Sequence, residues 1–287
     1  GRGARRSRAQ PTLRPMSGDA RFSVTFLGTR DAAVRPGVHT SSQLVSLGES
    51  DVLVDAGLGA SAQLRAVGLA TGALEAIVLT HWHPDHVAGL PTLLRRGAGS
   101  FGSRSDLRLL GPPPPAESWW RALRWGSLWP LVSRLDVVEP GETLELGSLR
   151  LETFATDHGP SSLGWRFSEQ DGGARVAVIP RDSRPTEEIV TAAAGADLLV
   201  SEATLLDRAA ERARASRHST ALEAGAMAGW AGSITVGSRP AISRSRRPGP
   251  RVDRSVIAAP IDTYGVTGAV ACRGLDCSMW IYKHAQP

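Results

Sequence analysis

Apolar and polar residues alternate over 21–28 (RFSVTFLG), the two-residue period of a strand with one buried face. The runs 41–47 (SSQLVSL) and 51–55 (DVLVD) predict a second and third strand, joined by a turn at Gly48-Glu49-Ser50. Asp55-Ala56-Gly57 then ends the hairpin in a tight turn. Helical spacing appears at 60–69, and the short apolar run 75–80 (EAIVLT) predicts a buried strand. Pro84 suits the first turn of a helix, where a missing N–H costs nothing. Further strands are predicted over 134–138, 142–146, 148–156, 163–168, 174–179 and 197–201, with helices over 186–194 and 219–230. Strands and helices alternate in both halves, which predicts a layered α/β sandwich. The pattern fails after Ala231-Gly232, and 238–251 (SRPAISRSRRPGPR) carries Pro and Arg without a hydrophobic period.

Two stretches interrupt the layers. Residues 112–115 are four consecutive prolines, a stiff spacer. Residues 117–130 (ESWWRALRWGSLWP) hold four of the eight Trp. They read as an amphipathic surface helix covering the core, or as a hydrophobic lid or homodimer contact.

The length, 287 residues with 41% hydrophobic and 21% charged, suffices for a substantial core and excludes a disordered chain. No apolar stretch is long enough for a membrane span, so no membrane partner is expected. The net charge of +5 hints at a nucleic-acid partner until it is divided along the chain. Residues 1–15 carry five Arg and no acid; residues 237–287 carry seven Arg and one Lys against three Asp. Residues 16–236 hold 20 basic and 25 acidic side chains, so the middle is acidic. Arg dominates the bases, with Lys283 the only lysine, as a GC-rich coding sequence produces. Residues 1–15 are expected to be an upstream or vector-derived leader; their composition also mimics a transit peptide. Two cysteines, Cys272 and Cys277, are too few for a disulfide framework, so a reducing, cytoplasmic setting is the default.

The candidate chemistry lies in HWHPDH, residues 81–86, directly after the strand at 75–80. His81 and His83 are two apart, so in extended backbone they point the same way. Asp85 and His86 follow the turn at Pro84 and face a second point. Three imidazoles and a carboxylate suit one or two borderline metal ions, zinc first. Buried together without a metal, they would leave polar groups needing partners.

These residues resemble the HxHxDH signature of the metallo-β-lactamase superfamily. THWHPDHVAGLPTLL (80–94), TSSQLVSLGESDVLVDAG (40–57), HGPSSLGWRF (158–167), IPRDSRP (179–185), ADLLVSEATLLD (196–207) and HSTALEAGAMA (218–228) together resemble its ribonuclease Z branch, over about residues 22–236. The resemblance implies a four-layer αββα sandwich and a hydrolase that cleaves phosphodiesters through a metal-activated hydroxide. Two Zn²⁺ are implied: one held by His81, His83 and His158, one by Asp85, His86 and a late histidine, with Asp182 bridging. Asp85 would also orient the nucleophile or accept its proton. Glu202 and His218 would form the pair that protonates the leaving oxygen. By itself His158 is a turn residue more often exposed than ligating, Asp182 is an ordinary strand-end turn former, and His218 is a helix start with Ser219 or Thr220 capping. His39 and His284 have no motif role.

Two departures matter. The family's late histidine, in a segment like LTHIS, is replaced here by Ser233-Ile234-Thr235-Val236-Gly237-Ser238. Lost periodicity, Arg/Pro enrichment and the lost ligand coincide, which points to a shifted reading frame over 237–287 and an incomplete second metal site. Only 24 positions separate His158 from Asp182, which leaves no room for the family's extended tRNA-gripping arm at that point. The expected domains are therefore a leader (1–15), the hydrolase domain (16–236) and an irregular basic tail (237–287). The expected substrate is a phosphodiester: the 3′ trailer of precursor tRNA, the family's own, or a small cyclic or aryl phosphodiester. The alternatives are hydrolysis of another ester (lactone, thioester or sulfate ester) and a catalytically impaired one-metal relative.

Overall fold

Strand runs that are apolar on both faces need cover on both faces, and the fold supplies it. The computed structural model describes residues 22–30, 39–94, 107–115, 135–159, 161–171 and 175–231, together with the backbone of 269–272. Two six-stranded sheets run through them. The first orders β1 (Ser23–Gly28), β2 (Ser42–Leu47), β3 (Ser50–Val54), β4 (Ala76–Val78), β5 (Arg108–Gly111) and β6 (Leu135–Val137) side by side. Its first three strands are an antiparallel meander, and β3 to β6 are parallel. The second orders β12 (Ala269–Cys272), β11 (Leu198–Ser201), β10 (Val176–Arg181), β9 (Leu163–Glu169), β8 (Leu149–Ala155) and β7 (Thr143–Leu146). Only β10 and β11 pair in parallel there.

Alternation along single strands divides the core into layers. Val52, Val54, Ala76 and Val78 point inward from the first sheet to meet Leu151, Trp165, Phe167, Ala177 and Ile179 of the second. The intervening Leu53 and Ile77 point outward, onto Leu64 of α1 (Ala60–Ala66), Val87 of α2 (Pro84–Val87) and Leu90 and Leu93 of α3 (Leu90–Leu94). Val176, Val178 and Leu199 likewise cover Ile189 of α4 (Glu187–Ala192) and Met227 and Ala228 of α6 (Ala221–Trp230). The order is helix, sheet, sheet, helix, as expected. Each fully buried Leu or Ile contributes about 1.5–3 kcal/mol of transfer free energy.

Three elements differ from the sequence reading. Strand β5 shows no signal in the sequence: Arg-Leu-Leu-Gly is too short for a period, and Leu109 and Leu110 are both buried because both faces of the sheet are covered. Helix α5 (Ala210–Ala215) buries only Ala213, so it has no apolar stripe to detect. The irregular tail contributes β12, which pairs antiparallel with β11. The Trp-rich segment and residues 233–238 lie outside the described residues. No described helix is long and apolar enough to cross a membrane.

Candidate metal centre

The sandwich brings the ends of five strands to one rim. Strand β3 ends at Asp55, whose backbone turns left-handed (φ 58°). Beyond β4 the chain runs through Thr80, His81 and His83, and Pro84 at the first position of α2 sets Asp85 and His86 on a helical turn. His158 follows β8, Asp182 follows β10, Glu202 follows β11, and His218 precedes α6. The two sheets are tied at this rim. Trp165 donates its indole N–H to the Leu79 carbonyl (3.0 Å), and the Leu163 N–H donates to the Thr80 carbonyl (2.8 Å).

Five of the seven histidines of the chain meet there. His81, His83 and His158 form one group and His81, His86 and Asp182 another, the ligand atoms of each lying within 4.8 Å of one another. His158, Asp182 and His218 satisfy the same limit. Asp85 joins through His86, with its Oδ2 3.6 Å from His86 Nε2 and Asp182 Oδ2 at 3.4 Å.

The hydrogen bonds behind the rings set which nitrogen faces inward. The Thr80 hydroxyl donates to Asp55 (3.0 Å), so at 3.0 Å from His81 Nδ1 its oxygen accepts the ring N–H. His86 Nδ1 donates to Asp55 Oδ2 (2.7 Å), and His158 Nδ1 donates to the Arg217 carbonyl (3.0 Å). His81 and His158 therefore each turn a bare Nε2 lone pair toward the centre, the arrangement a metal-ligating imidazole adopts when its second nitrogen is anchored, while His86 Nε2 faces the Asp182 and Asp85 carboxylates. His81 Nε2 is buried and has no hydrogen-bond partner. A buried lone pair aimed into a cluster of imidazoles and carboxylates is what a cation would satisfy, so the residues fit a metal.

Burial and charge divide the rings. Burial, reinforced by the neighbouring imidazoles, pushes His81 well below its ordinary value and lowers His83 and His158, keeping all three neutral as ligands must be. Burial opposes charge on His86 as well, but the carboxylates of Asp182 and Asp55 outweigh it and lift that ring to about 10. Asp182 lies well below the usual carboxylate range: burial opposes its ionisation, and the charge and hydrogen bond of His86 overcome that.

Beside this cluster stands a histidine–glutamate pair. His218 Nδ1 lies 2.9 Å from both Glu202 oxygens, and the His158 and His218 ring centroids are 4.5 Å apart. Glu202 is buried and held by the Ser183 N–H (2.7 Å). Burial raises the Glu202 carboxyl. Burial works against the His218 cation, yet the hydrogen bond and charge of Glu202 outweigh it and raise His218. His218 is thereby suited to carry a proton near neutral pH.

Every site residue expected from the sequence lies at this rim: His81, His83, Asp85, His86, His158, Asp182, Glu202 and His218. Thr220, rather than Ser219, caps α6; Ser219 instead donates to the Ser183 carbonyl (2.7 Å). Two residues escape the sequence reading. Asp55 has the look of a turn former, yet it binds Thr80, Ser41 and His86 together. Arg181, also left-handed (φ 54°), is buried beside Asp55, with Nη2 2.5 Å from Ser41 Oγ and Nε 3.9 Å from Asp55 Oδ2. The available signal for Asp55 is a carboxylate ending an apolar strand. Nothing in the sequence marks Arg181.

Residues 35–174 match the metallo-β-lactamase superfamily. The chain is 30% identical to ribonuclease Z of Bradyrhizobium sp. (strain ORS 278), covering 72% of this chain and 85% of that one. It is 31% identical to ribonuclease Z of Gemmatimonas aurantiaca, covering 73% and 82%. Among solved structures, the short form of human tRNase Z superposes with a TM-score of 0.59 at 25% identity, over 73% of this chain and 88% of that one. A metallo-β-lactamase fold protein of Bacillus subtilis shares the fold, with a TM-score of 0.60 at 23% identity over 73% and 81%. The chain belongs to the ribonuclease Z family of metal-dependent hydrolases, within the metallo-β-lactamase superfamily.

Proposed function

We propose that the chain is a zinc-dependent endoribonuclease that removes 3′ trailers from precursor tRNA, in the cytoplasm. His81, His83 and His158 would hold one ion, Asp85 and His86 a second, and Asp182 would bridge them. The imidazole-rich set favours zinc. When bound, the ions supply a nucleophilic water at neutral pH and neutralise charge on the phosphoryl group. Asp85 accepts a proton from the attacking water. Water oxygen bonds to phosphorus, the phosphorus bond to the leaving oxygen breaks, and His218 Nε2 delivers its proton to that oxygen. Glu202 holds His218 Nδ1 so that Nε2 points outward, and the positive ring it stabilises is the acid.

The observation that carries this reading is the Glu202–His218 pair standing against the His158 ring, because it supplies an acid where a leaving group departs from the metal cluster. The activities for which the relatives are named, ribonuclease Z and tRNase Z, supply the substrate class. The test is a panel assayed on the zinc-loaded full chain: precursor tRNA, bis(p-nitrophenyl) phosphate, an aryl sulfate and a lactone. Turnover of both phosphodiesters is expected. Turnover of the lactone or the sulfate alone would replace this reading with an esterase.

A further inference from the structure

Only 24 positions separate His158 from Asp182, so contacts to a polynucleotide would fall to residues elsewhere on the rim. Three loops at the rim each place a charged side chain next to a site residue. Asp157 precedes His158, Arg184 lies two after Asp182, and Arg217 precedes His218. They are stitched together by their backbones. Asp157 and Arg184 form an antiparallel bridge, the Asp157 N–H donates to Ser183 Oγ (2.9 Å), and the Arg217 carbonyl holds the His158 ring. Both guanidinium groups turn to the same carboxylate: Arg184 Nε hydrogen-bonds Asp157 Oδ2, and Arg217 Nε lies 3.7 Å from Oδ1. Arg217 has a left-handed backbone (φ 56°).

One carboxylate cannot satisfy two guanidinium groups. Each carries five N–H donors, and the trio retains one positive charge. The arginine side chains are 50% and 54% exposed, so donors beyond those turned to Asp157 are open to solvent. Nearby Arg214 does not join them, since it faces Glu223 at 3.9 Å. We propose that Arg184 and Arg217, braced by Asp157, form a phosphate clamp. It holds the backbone phosphate adjacent to the scissile one in a single-stranded polynucleotide and so selects RNA chains over small phosphodiesters. The planar fork of Arg suits a bidentate grip on phosphate. The sharing of Asp157 keeps both forks aligned while leaving donors free. The clamp also gives the acidic middle of the chain a local positive contact that its net charge conceals.

The clamp rests on the endoribonuclease reading, and its test separates the two. Zinc-loaded wild type, the Arg184→Ala/Arg217→Ala double variant and the Arg184→Lys/Arg217→Lys double variant are compared. Assays use a precursor tRNA with a single-stranded trailer and bis(p-nitrophenyl) phosphate, which has no neighbouring phosphate. Binding of an uncleavable oligonucleotide is followed by fluorescence anisotropy across a salt series. In the alanine variant the ratio of kcat/KM for precursor tRNA to that for the small ester falls about tenfold or more, mostly through KM. The salt slope of oligonucleotide binding becomes shallower by about 0.7, the value for a single phosphate that is no longer neutralised. The lysine variant keeps most of that slope and loses part of the ratio. A parallel fall on both substrates would overturn the clamp and make the pair a brace for the His158 and His218 loops. An unchanged ratio and slope would overturn it as well. If wild type cleaves no precursor tRNA, the endoribonuclease reading fails, while the anisotropy slope still decides the clamp.

Discussion

Asp55 sits fully buried and gathers groups from three segments: the Ser41 hydroxyl, the Thr80 hydroxyl and N–H, and the His86 ring. Its charge fixes His86 with Nε2 inward, and Thr80 passes the same constraint to His81. Replacing Asp55 with Asn keeps size and tolerance of the left-handed backbone but removes the charge. The Asp55→Asn variant is expected to bind zinc about 10- to 100-fold more weakly with its fold intact, as read by metal titration beside circular dichroism. His218 makes a different prediction. If it protonates the leaving oxygen, His218→Ala loses about 10²- to 10⁴-fold in kcat on RNA. The loss is much smaller on bis(p-nitrophenyl) phosphate, whose nitrophenolate departs without a proton. Equal losses on the two substrates, measured at saturation, would remove the acid role. At this scale the sequence is informative where chemistry is contiguous, as in HWHPDH. It is silent where a partner lies far along the chain: Asp55 lies 31 positions before His86, and Arg181 meets Ser41 from 140 positions away.

Elements carry the site because their ends are fixed. Helix α6 begins with a full capping box: the Thr220 hydroxyl accepts the Glu223 N–H (3.2 Å), and Glu223 accepts the Thr220 N–H (2.9 Å). That start sets His218 against Glu202 and Ser219 against the Ser183 carbonyl. Thr220→Ala is expected to cost about 1 kcal/mol of stability, visible as a lower urea midpoint at unchanged slope. The β2–β3 hairpin offers a pH test away from the metal centre. Across it Asp51 accepts a hydrogen bond from Ser46 (2.5 Å). Burial raises the Asp51 carboxyl; Ser46 opposes that rise, and the charges of Glu49 and Glu75 add to it. A carboxyl raised in the folded state makes ionisation cost stability above its folded pKa, and the cost vanishes once pH falls below its unfolded value. Asp51→Asn is therefore expected to raise the melting temperature at neutral pH, with the gain disappearing as the medium is acidified below that value. Periodicity locates most elements because their two faces differ or both are apolar. It passes over β5, too short for a period, and α5, whose buried side is a single alanine.

The whole molecule divides its labour between two covered sheets and one rim. The sandwich is legible because inward and outward apolar residues alternate on strands such as β3, β4 and β10. Net charge taken whole misleads, since +5 for the chain conceals an acidic stretch over 16–236. The local field is a better guide than the sum: imidazoles and carboxylates lie together at the rim, with Arg184 and Arg217 beside them. The measurement that bears most directly on the central claim is cleavage of precursor tRNA by the metal-stripped full chain before and after zinc is returned. The predicted result is no cleavage without metal and restored endonucleolytic release of the 3′ trailer with zinc bound at the His81, His83 and His158 cluster. Zinc bound there with the precursor left intact would contradict it.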